Sequence, residues 1–270
     1  MFEINENLDI NVIRNIKGRS AVIIDNFYKN PDEVRELALS QFNIRTDLPS
    51  LRDPKELVSG FPGKRCFVES PEVKENLYDI FFQLCSDKHI WHDPNSSGLM
   101  RKLKPSRNRP FDIDIFNNNW NDIGFMVNIL NDFSLLEKPI GIIPHQDVYE
   151  FLDENVPDVK FASVIFLNLP NECVNGGGTA LYSFKNQISI DRRSDIGVPM
   201  PDNPEDYPTD EDQFKYIRSK VDEGDPWKIE CDVEMVYNRM FLYQADVLHS
   251  QNVNLGMFTN YDRINQLLFM

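Results

Sequence analysis

From about residue 111 onward, apolar side chains recur at every second position, which is the period of a β-strand. Phe125, Val127 and Ile129, for example, are expected to share one face of a strand. Further strands are expected over residues 161–167, 229–236, 239–243 and 264–270. The first of these segments is apolar at nearly every position, which is typical of a strand buried on both faces. Several short strands separated by turn signals predict two packed sheets, as in a jelly roll.

Helical spacing replaces the two-residue period in the N-terminal third of the chain. Asn30 is a good N-cap, Pro31 suits the first helical position, and apolar residues then recur three and four positions apart. A second apolar stripe runs over residues 73–84. Residues 43–67 are rich in proline, glycine and charge, and are expected to form a long loop with at most short strands. Because a one-sided helix must bury its apolar face, both helices are expected to pack against a sheet.

The length of the chain suits a single large domain. We expect residues 1–110 to form a mixed, partly helical support and residues 111–270 to form the jelly-roll core. The fold class is therefore α+β and mainly β, a double-stranded β-helix with N-terminal supporting helices.

An acidic insertion is expected to interrupt the core at about residues 186–228. Within it, residues 191–225 hold eleven Asp or Glu against five Lys or Arg, and a short helix is expected near 213–221. This segment is either a solvated excursion or a lid over the opening of the barrel, since long loops in compact domains often serve function. We favour the lid.

The overall charge and apolar content exclude several classes of partner. The chain has 28 basic and 43 acidic residues, a formal net charge of −15, which opposes binding to a nucleic acid. No apolar run approaches the ~18–20 residues that cross a bilayer. The N-terminus lacks the basic and then apolar pattern of a signal peptide. A cytoplasmic protein without a membrane segment is expected, and its oligomeric state cannot be read from the sequence.

Most of the histidines and cysteines, which are potential metal ligands, are scattered along the chain. His89 and His92 have helical spacing, but Pro94 would break a helix there, so we interpret both as surface or packing residues. No C-x-x-C pair occurs, which argues against a zinc site and against a dense disulfide framework. We therefore expect reduced thiols at all four cysteines, Cys66, Cys85, Cys173 and Cys231.

Four residues in order carry the candidate chemistry. His145 and Asp147 are two positions apart, so in an extended strand both side chains point to the same face. His249 follows a second strand-like run far downstream. Two imidazoles and one carboxylate form the facial triad that holds Fe(II) and leaves positions open for further ligands. Arg263 begins the last strand, and its charged, forked guanidinium suits the carboxylate of a 2-oxo acid.

With this order of residues, the chain resembles the 2-oxoglutarate- and Fe(II)-dependent oxygenases, in particular the prolyl-hydroxylase-like branch and its uncharacterised bacterial and phage members. D-N-F at residues 25–27, before the first helix, looks like the family's N-terminal opening. G-G-G-T at 176–179 looks like its strand entry, and N-R-M-F-L-Y at 238–243 looks like the strand that leads to the second histidine. The likeness covers most of residues 20–46 and 123–270.

The resemblance implies an enzyme that uses Fe(II), 2-oxoglutarate and O2. His145, Asp147 and His249 would bind the metal, and 2-oxoglutarate would chelate it through its 2-oxo acid end. Its distal carboxylate would meet Arg263, whose strand is expected to run beside the strand that leads to His249, with the guanidinium inside the barrel. The expected products are succinate, CO2 and a hydroxylated substrate.

Several details follow from the resemblance with less support. The Thr179 hydroxyl would contact the co-substrate, although an ordinary strand threonine is an equal alternative, and Asn128 is a candidate pocket residue. Family halogenases carry a small residue where this chain has Asp147, so hydroxylation rather than halogenation is expected. A peptide or protein side chain is the preferred substrate, with a small molecule as the alternative.

Two other classes of function stay open at this point. One is a cupin-like or degenerate jelly roll that binds a metal without oxygenase turnover. The other is a structural protein that uses the fold and its acidic surface to bind a partner. Both would be distinguished from the oxygenase by their response to Fe(II) and 2-oxoglutarate.

Overall fold

The computed structural model describes residues 2–6, 8–46, 64–68, 84, 91, 123–128, 144–146, 161–173, 176–190, 210–252 and 263–269. Among the residues that the sequence analysis singled out, Asp147, His89, His92 and Cys85 lie outside these ranges. So does the predicted second helix over 73–84, apart from the buried Leu84.

Within these ranges the chain is mostly β, with ten strands and two helices. They are β1 Asp9–Ile16, β2 Arg19–Asp25, α1 Pro31–Thr46, β3 Lys64–Val68, β4 Ile123–Asn128, β5 Phe161–Phe166, β6 Thr179–Phe184, α2 Asp210–Glu223, β7 Trp227–Val233, β8 Met240–Gln244, β9 His249–Gln251 and β10 Arg263–Phe269. The strands form two antiparallel sheets. The large sheet has the order β1-β2-β8-β5-β10-β4-β3, and the small sheet has the order β7-β6-β9. The prediction of a mainly β protein with two sheets is confirmed.

Strand β5 lies in the middle of the large sheet, between β8 and β10, and every one of its residues is buried. Phe161 and Ile165 face a core that includes Val34 and Ala38 of α1, whereas Phe166 faces a second core towards the small sheet. The two faces of the strand therefore serve different layers, which explains why its sequence is apolar throughout. Helix α1 covers the outer face of the large sheet, as its apolar stripe predicted.

Helix α2 covers the outer face of the small sheet. Ile217 packs into a cluster with Tyr182 and Trp227, and these side chains point away from the large sheet. The helix is longer than the segment 213–221 in which it was predicted. The lid interpretation is therefore wrong for the helical part of the acidic insertion, because the apolar side of α2 is buried against the back of the small sheet. Residues 191–209 lie outside the described part of the chain.

Along the chain, the strands change sheet repeatedly. After β4 in the large sheet, residues 144–146 pair with β9 of the small sheet through an antiparallel bridge between His145 and His249. The chain then returns to the large sheet with β5, forms β6 and β7 in the small sheet, and alternates again through β8, β9 and β10. Of the two described helices, neither is long and apolar enough to cross a membrane.

This alternation corrects one expectation. Strand β10, which begins with Arg263, was predicted to lie beside β8, the strand that leads to His249, but β5 separates the two. Because the chain leaves the large sheet after β8 to form β9 in the small sheet, it re-enters on the far side of β5. Strand β10 pairs there with β5 and β4.

Candidate functional site

His145 lies directly opposite His249 of β9, to which it is paired by an isolated antiparallel bridge at the edge of the small sheet. The main-chain N–H of His145 donates to the carbonyl of His249 over 2.9 Å, and the reciprocal bond is 2.8 Å long. Residues opposed in this way point their side chains to the same face of a sheet, and the two ring centroids lie 4.5 Å apart. Since metal–imidazole bonds are about 2.0–2.1 Å long, both rings can reach a single ion.

The ring of His249 is buried, and a hydrogen bond at its Nδ1 fixes its orientation. Its Nδ1 lies 2.8 Å from the carbonyl oxygen of Val247. A carbonyl oxygen can only accept, so Nδ1 carries the hydrogen and the lone pair of the neutral ring is on Nε2. Metal-binding histidines typically use one ring nitrogen in this way and present the other to the metal. The geometry of His249 therefore fits a metal ligand.

The segment that carries His145 is tied down by its neighbour Gln146. The Gln146 amide nitrogen donates to the Ser189 hydroxyl over 3.1 Å and to the main-chain oxygen of Asp246 over 2.5 Å. Asp246 in turn forms an ion pair with Arg19 of β2 over 2.6 Å. These contacts anchor the strand on the side opposite the imidazole, so His145 projects from a fixed backbone.

Asp147, the predicted third ligand, lies outside the described residues. Within the described part of the chain, no group of three His, Cys, Asp or Glu side chains is arranged to hold a metal ion. Two of the three predicted ligands, His145 and His249, are therefore brought together. The role of Asp147 stays a prediction from its position two residues after His145.

Arg263 points from the first position of β10 into the space between the two sheets. Its side chain is 1% exposed. The Nε–H donates to the Gly177 carbonyl over 2.8 Å, and the Nη atoms donate to the Gly178 carbonyl over 3.2 Å and to the Asn265 side-chain oxygen over 2.9 Å. The guanidinium also lies over the ring of Phe166, 5.5 Å from its centroid. The predicted inward orientation of this residue is confirmed.

Burial lowers the pKa of Arg263 to about 10, and the nearby Cys173 and Tyr243 raise it only in part. The guanidinium is therefore still protonated at neutral pH. A carboxylate bound against it would raise its pKa, since an opposite charge at close range favours the charged form. In a buried site such a contact is stronger than in water, because less solvent screens the two charges.

The glycine run before β6 brings its own main chain close to β7 and to Arg263. Gly176 and Gly177 have φ values of 94° and 70°, which favour glycine. At Gly178, an added Cβ atom would lie 1.7 Å from the Val233 carbonyl oxygen. The glycines were expected to make a turn or to let the backbone approach the co-substrate. Their positive φ values are compatible with a turn, and the carbonyls of Gly177 and Gly178 approach Arg263.

Thr179 and Asn128 both lie next to Arg263. The buried Thr179 hydroxyl is 3.4 Å from the nearest guanidinium nitrogen, and Asn128 on β4 is directly opposite Arg263 in the strand register. A contact of either residue with a co-substrate stays a prediction, and the Asn128 side chain lies outside the described part of the structure.

Two neighbours of the site did not emerge from the sequence. Asn265 accepts a hydrogen bond from Arg263, and the two-residue period of β10 would have put both on one face. Tyr243 lies with its ring centroid 4.7 Å from that of His249, and it is also near Arg263, whose pKa is lowered by burial and raised only in part by Cys173 and Tyr243. Tyr243 therefore connects the imidazole pair with the guanidinium, but only the order of the strands reveals this.

No protein-family model matches the chain, and a search of curated proteins found no match.

Proposed function

We propose that the protein is an Fe(II)- and 2-oxoglutarate-dependent oxygenase, most simply a hydroxylase. The observation that carries the proposal is a pair of histidines on one sheet, His145 and His249, together with a buried arginine, Arg263, that points between the sheets. Tyr243 contacts the His249 ring and also lies near Arg263, which supports treating the two parts as one site.

A jelly roll is the architecture that best accounts for the strand order. When the bridge at residues 144–146 is counted, successive segments from β4 onward fall alternately into the two sheets, apart from the neighbouring strands β6 and β7. A double-sheet jelly roll is built in this way, and its interior suits a ligand site between the sheets. The inward directions of His249 and Arg263 support this architecture.

The donor set fits Fe(II). His145, His249 and the predicted Asp147 would supply two nitrogens and one carboxylate, which is the ligand set of non-haem iron oxygenases. The hydrogen bond from His249 Nδ1 to the Val247 carbonyl makes Nε2 the nitrogen that would bind the ion, and cysteine ligands are absent from this set. This combination suits Fe(II) better than a structural zinc ion, which typically has four closed ligands.

Arg263 would hold the distal carboxylate of 2-oxoglutarate. Bonds to Gly177, Gly178 and Asn265 orient the guanidinium before any ligand arrives, which lowers the entropic cost of binding. Thr179, within 3.4 Å of the guanidinium, would add a hydroxyl to the same carboxylate. Asn128 is a further candidate contact from the neighbouring strand.

When bound, Fe(II) with 2-oxoglutarate and O2 supplies the oxidation, in which 2-oxoglutarate becomes succinate and CO2 and one oxygen atom enters a C–H bond of the substrate. The protein's own contribution is to hold the ligands in fixed directions and to exclude water with the aromatic side chains around Arg263 and His249. A carboxylate at Asp147 favours hydroxylation over halogenation. The proposed substrate is a peptide or protein side chain, with a small molecule as the alternative.

An anaerobic titration of the protein with Fe(II), with and without 2-oxoglutarate, tests the proposal. We expect a weak visible absorption band that appears only when both are present, because it arises from the chelated metal. Glutarate is the matched control ligand, since it has both carboxylates but lacks the 2-oxo group, and it should give no band. A subsequent screen of peptides and metabolites for a product heavier by one oxygen atom would identify the substrate.

The two alternative classes of function predict different outcomes. A cupin-like protein would bind the metal but would give no band with 2-oxoglutarate. A structural protein with an acidic surface would bind neither in a one-to-one ratio. Either outcome would overturn the oxygenase proposal.

A further inference from the structure

We propose that Asn168, Glu172 and Arg35 form a positioning network for Arg263, and that they thereby set the affinity for the 2-oxo acid without touching it. This inference rests on the proposed function, because it takes Arg263 as the group that binds the co-substrate. The three residues lie on two segments, α1 and the turn that follows β5, and none of them was a site candidate from the sequence.

The first step of the network is the main chain next to Arg263. The carbonyl of Ile264 accepts from the N–H of Leu167 over 3.0 Å, as expected between paired strands. The N–H of Ile264, however, donates to the side-chain oxygen of Asn168 over 2.6 Å. Strand β5 has ended by this point, and the buried Asn168 amide takes the place of a main-chain acceptor. The position of Ile264, and with it the Cα atom of Arg263, therefore depends on where this amide is held.

The second step fixes the amide. The side-chain nitrogen of Asn168 donates to a carboxylate oxygen of Glu172 over 3.1 Å. Because a carboxylate can only accept, the amide nitrogen must face Glu172 and the amide oxygen must face Ile264. The same oxygen of Glu172 accepts from the N–H of Leu169 over 3.0 Å. The side chain of Asn168 thus has one orientation, and Glu172 determines it.

The third step reaches across the large sheet to α1. The second carboxylate oxygen of Glu172 forms an ion pair with Arg35, and the Glu172 side chain is 4% exposed. Removing one partner of a buried ion pair leaves an uncompensated charge and is strongly destabilising. Arg35 therefore holds the Glu172 carboxylate in place, so the network runs from the outer helix to the first residues of β10.

The turn that contains Glu172 approaches Arg263 a second time. Cys173 follows Glu172 directly. Burial raises the pKa of its thiol, and the nearby Arg263 guanidinium lowers that pKa only in part, which shows that the two groups are close. A shift of this turn would therefore move both the main chain beside Arg263 and a group near its charge. Because each guanidinium nitrogen already has a fixed acceptor, a small displacement of Arg263 costs alignment with a bound carboxylate.

The test compares two variants of Asn168 with a control variant that removes a different buried hydrogen bond to β10. Asn168→Ala removes the acceptor of Ile264, and Asn168→Asp keeps that oxygen but places a second carboxylate against Glu172. Tyr28→Phe is the control, because it removes a buried hydrogen bond of 2.9 Å from the Tyr28 hydroxyl to Gln266 of β10. That bond lies three residues from Arg263 in sequence, on the face of the large sheet that packs against α1.

Three quantities are measured for each variant under anaerobic conditions: the Kd for Mn(II), the Kd for 2-oxoglutarate in the presence of Mn(II), and the rate of hydrogen–deuterium exchange at the start of β10. We expect Asn168→Ala to bind 2-oxoglutarate about threefold to tenfold more weakly than the parent, which corresponds to one hydrogen bond. Exchange at Ile264 should be faster, and the Kd for Mn(II) should stay the same. Tyr28→Phe should leave all three quantities near those of the parent.

Asn168→Asp separates a positioning role from a general loss of stability. Two adjacent carboxylates share a proton at low pH, and the protonated pair reproduces the original hydrogen bond. As the pH rises through the pKa of the pair, the shared proton is lost and the two charges repel. The ratio of this variant's Kd for 2-oxoglutarate to the parent's Kd should therefore be near one at low pH and should increase as the pH rises.

The outcomes are distinct. Faster exchange at Ile264 with an unchanged Kd for 2-oxoglutarate would overturn the inference, since the network would then be structural only. A pH profile of Asn168→Asp that parallels the parent's would overturn it as well. If the parent protein itself fails to bind 2-oxoglutarate, the proposed function falls and this inference falls with it, and that result is seen before any variant is made.

Discussion

Replacement of Arg263 by methionine separates its role in binding 2-oxoglutarate from its role in the fold. Methionine has a similar length and fills the space between the sheets, but it carries neither charge nor donors. Two acceptors, the Gly177 carbonyl and the Asn265 side-chain oxygen, lose the bonds that Arg263 donates to them. The Gly178 carbonyl keeps a second donor, because the N–H of Asn252 lies 3.1 Å from it.

The expected change in stability is the difference of two opposing contributions. Each buried acceptor left without a donor costs about 1–3 kcal/mol, or about 2–6 kcal/mol for the pair. Burial lowers the pKa of Arg263 from 12.5 to about 10, and relief of that penalty returns roughly 3 kcal/mol. We therefore expect the free energy of unfolding of the metal-free Arg263→Met protein to fall by no more than about 3 kcal/mol. The variant should still fold.

The expected loss of affinity for 2-oxoglutarate is not offset by an opposing contribution. A charge-assisted contact to a carboxylate contributes about 1.5–3 kcal/mol, so Arg263→Met should bind 2-oxoglutarate about 10- to 150-fold more weakly. Arg263→Lys should recover part of this affinity, because it keeps the charge but loses the planar fork. The Kd for the metal should barely change in either variant, since Arg263 is not a ligand.

Calorimetric titration of the Mn(II)-loaded protein under anaerobic conditions measures these affinities, and thermal unfolding of the metal-free protein measures stability. The Tyr28→Phe protein serves as the control for a lost buried hydrogen bond on the same strand. The reasoning fails if Arg263→Met binds 2-oxoglutarate as tightly as the parent, because the distal carboxylate would then be held elsewhere. It fails equally if the lysine variant is no better than methionine, since the charge would then contribute nothing.

Three further predictions concern the metal, the reaction and the glycine run. His249→Ala should lose most of the affinity for Fe(II) or Mn(II), whereas His89→Ala should keep it; full metal occupancy in both would contradict the assignment. Asp147→Ala should abolish oxidation coupled to 2-oxoglutarate decarboxylation, and chlorinated product from the parent in chloride buffer would refute the hydroxylase assignment. Gly178→Ala should lower the free energy of unfolding by about 3 kcal/mol or more, the upper end for overpacking, because its Cβ would overlap the main chain of β7. Gly224→Ala, where an added Cβ meets nothing within 4 Å, should cost about 1–2 kcal/mol through its positive φ alone, and similar losses in both would argue against the close approach.

The sequence was most informative where one physical rule decided the outcome. The run over residues 161–167 predicted a strand buried on both faces, and β5 is in fact covered on both sides. The start of α1 at Pro31 followed from the N-cap before it, since proline suits the first helical turn. No local sequence feature predicted that His145 and His249 lie opposite each other. Only the order of the motif residues suggested that the two would be close.

The sequence could not predict which strands lie next to each other in a sheet. Pairing β10 with β8 was wrong because nothing local records that β5 lies between them. The acidic composition of residues 191–225 suggested an excursion into solvent, yet α2 buries Ile217 against the small sheet. Charge along a helix describes its exposed face, whereas a few apolar residues decide where it packs. The role of Asn168 could not be predicted for a similar reason, because it depends on where β5 ends relative to β10.

The histidine pair and the arginine are joined by main chain rather than by flexible side chains. Arg263 bonds the carbonyls of Gly177 and Gly178, and Thr179 then begins β6 at once. Two residues later β6 pairs with β9 at His249, so only a few residues of paired backbone separate the guanidinium from the imidazole. A ligand that chelates a metal at one end and binds an arginine at the other needs this span to be constant. A rigid path of strand pairing meets that need before the ligand arrives, which is the physical reason to expect tight binding of a short dicarboxylate and weak binding of longer ones.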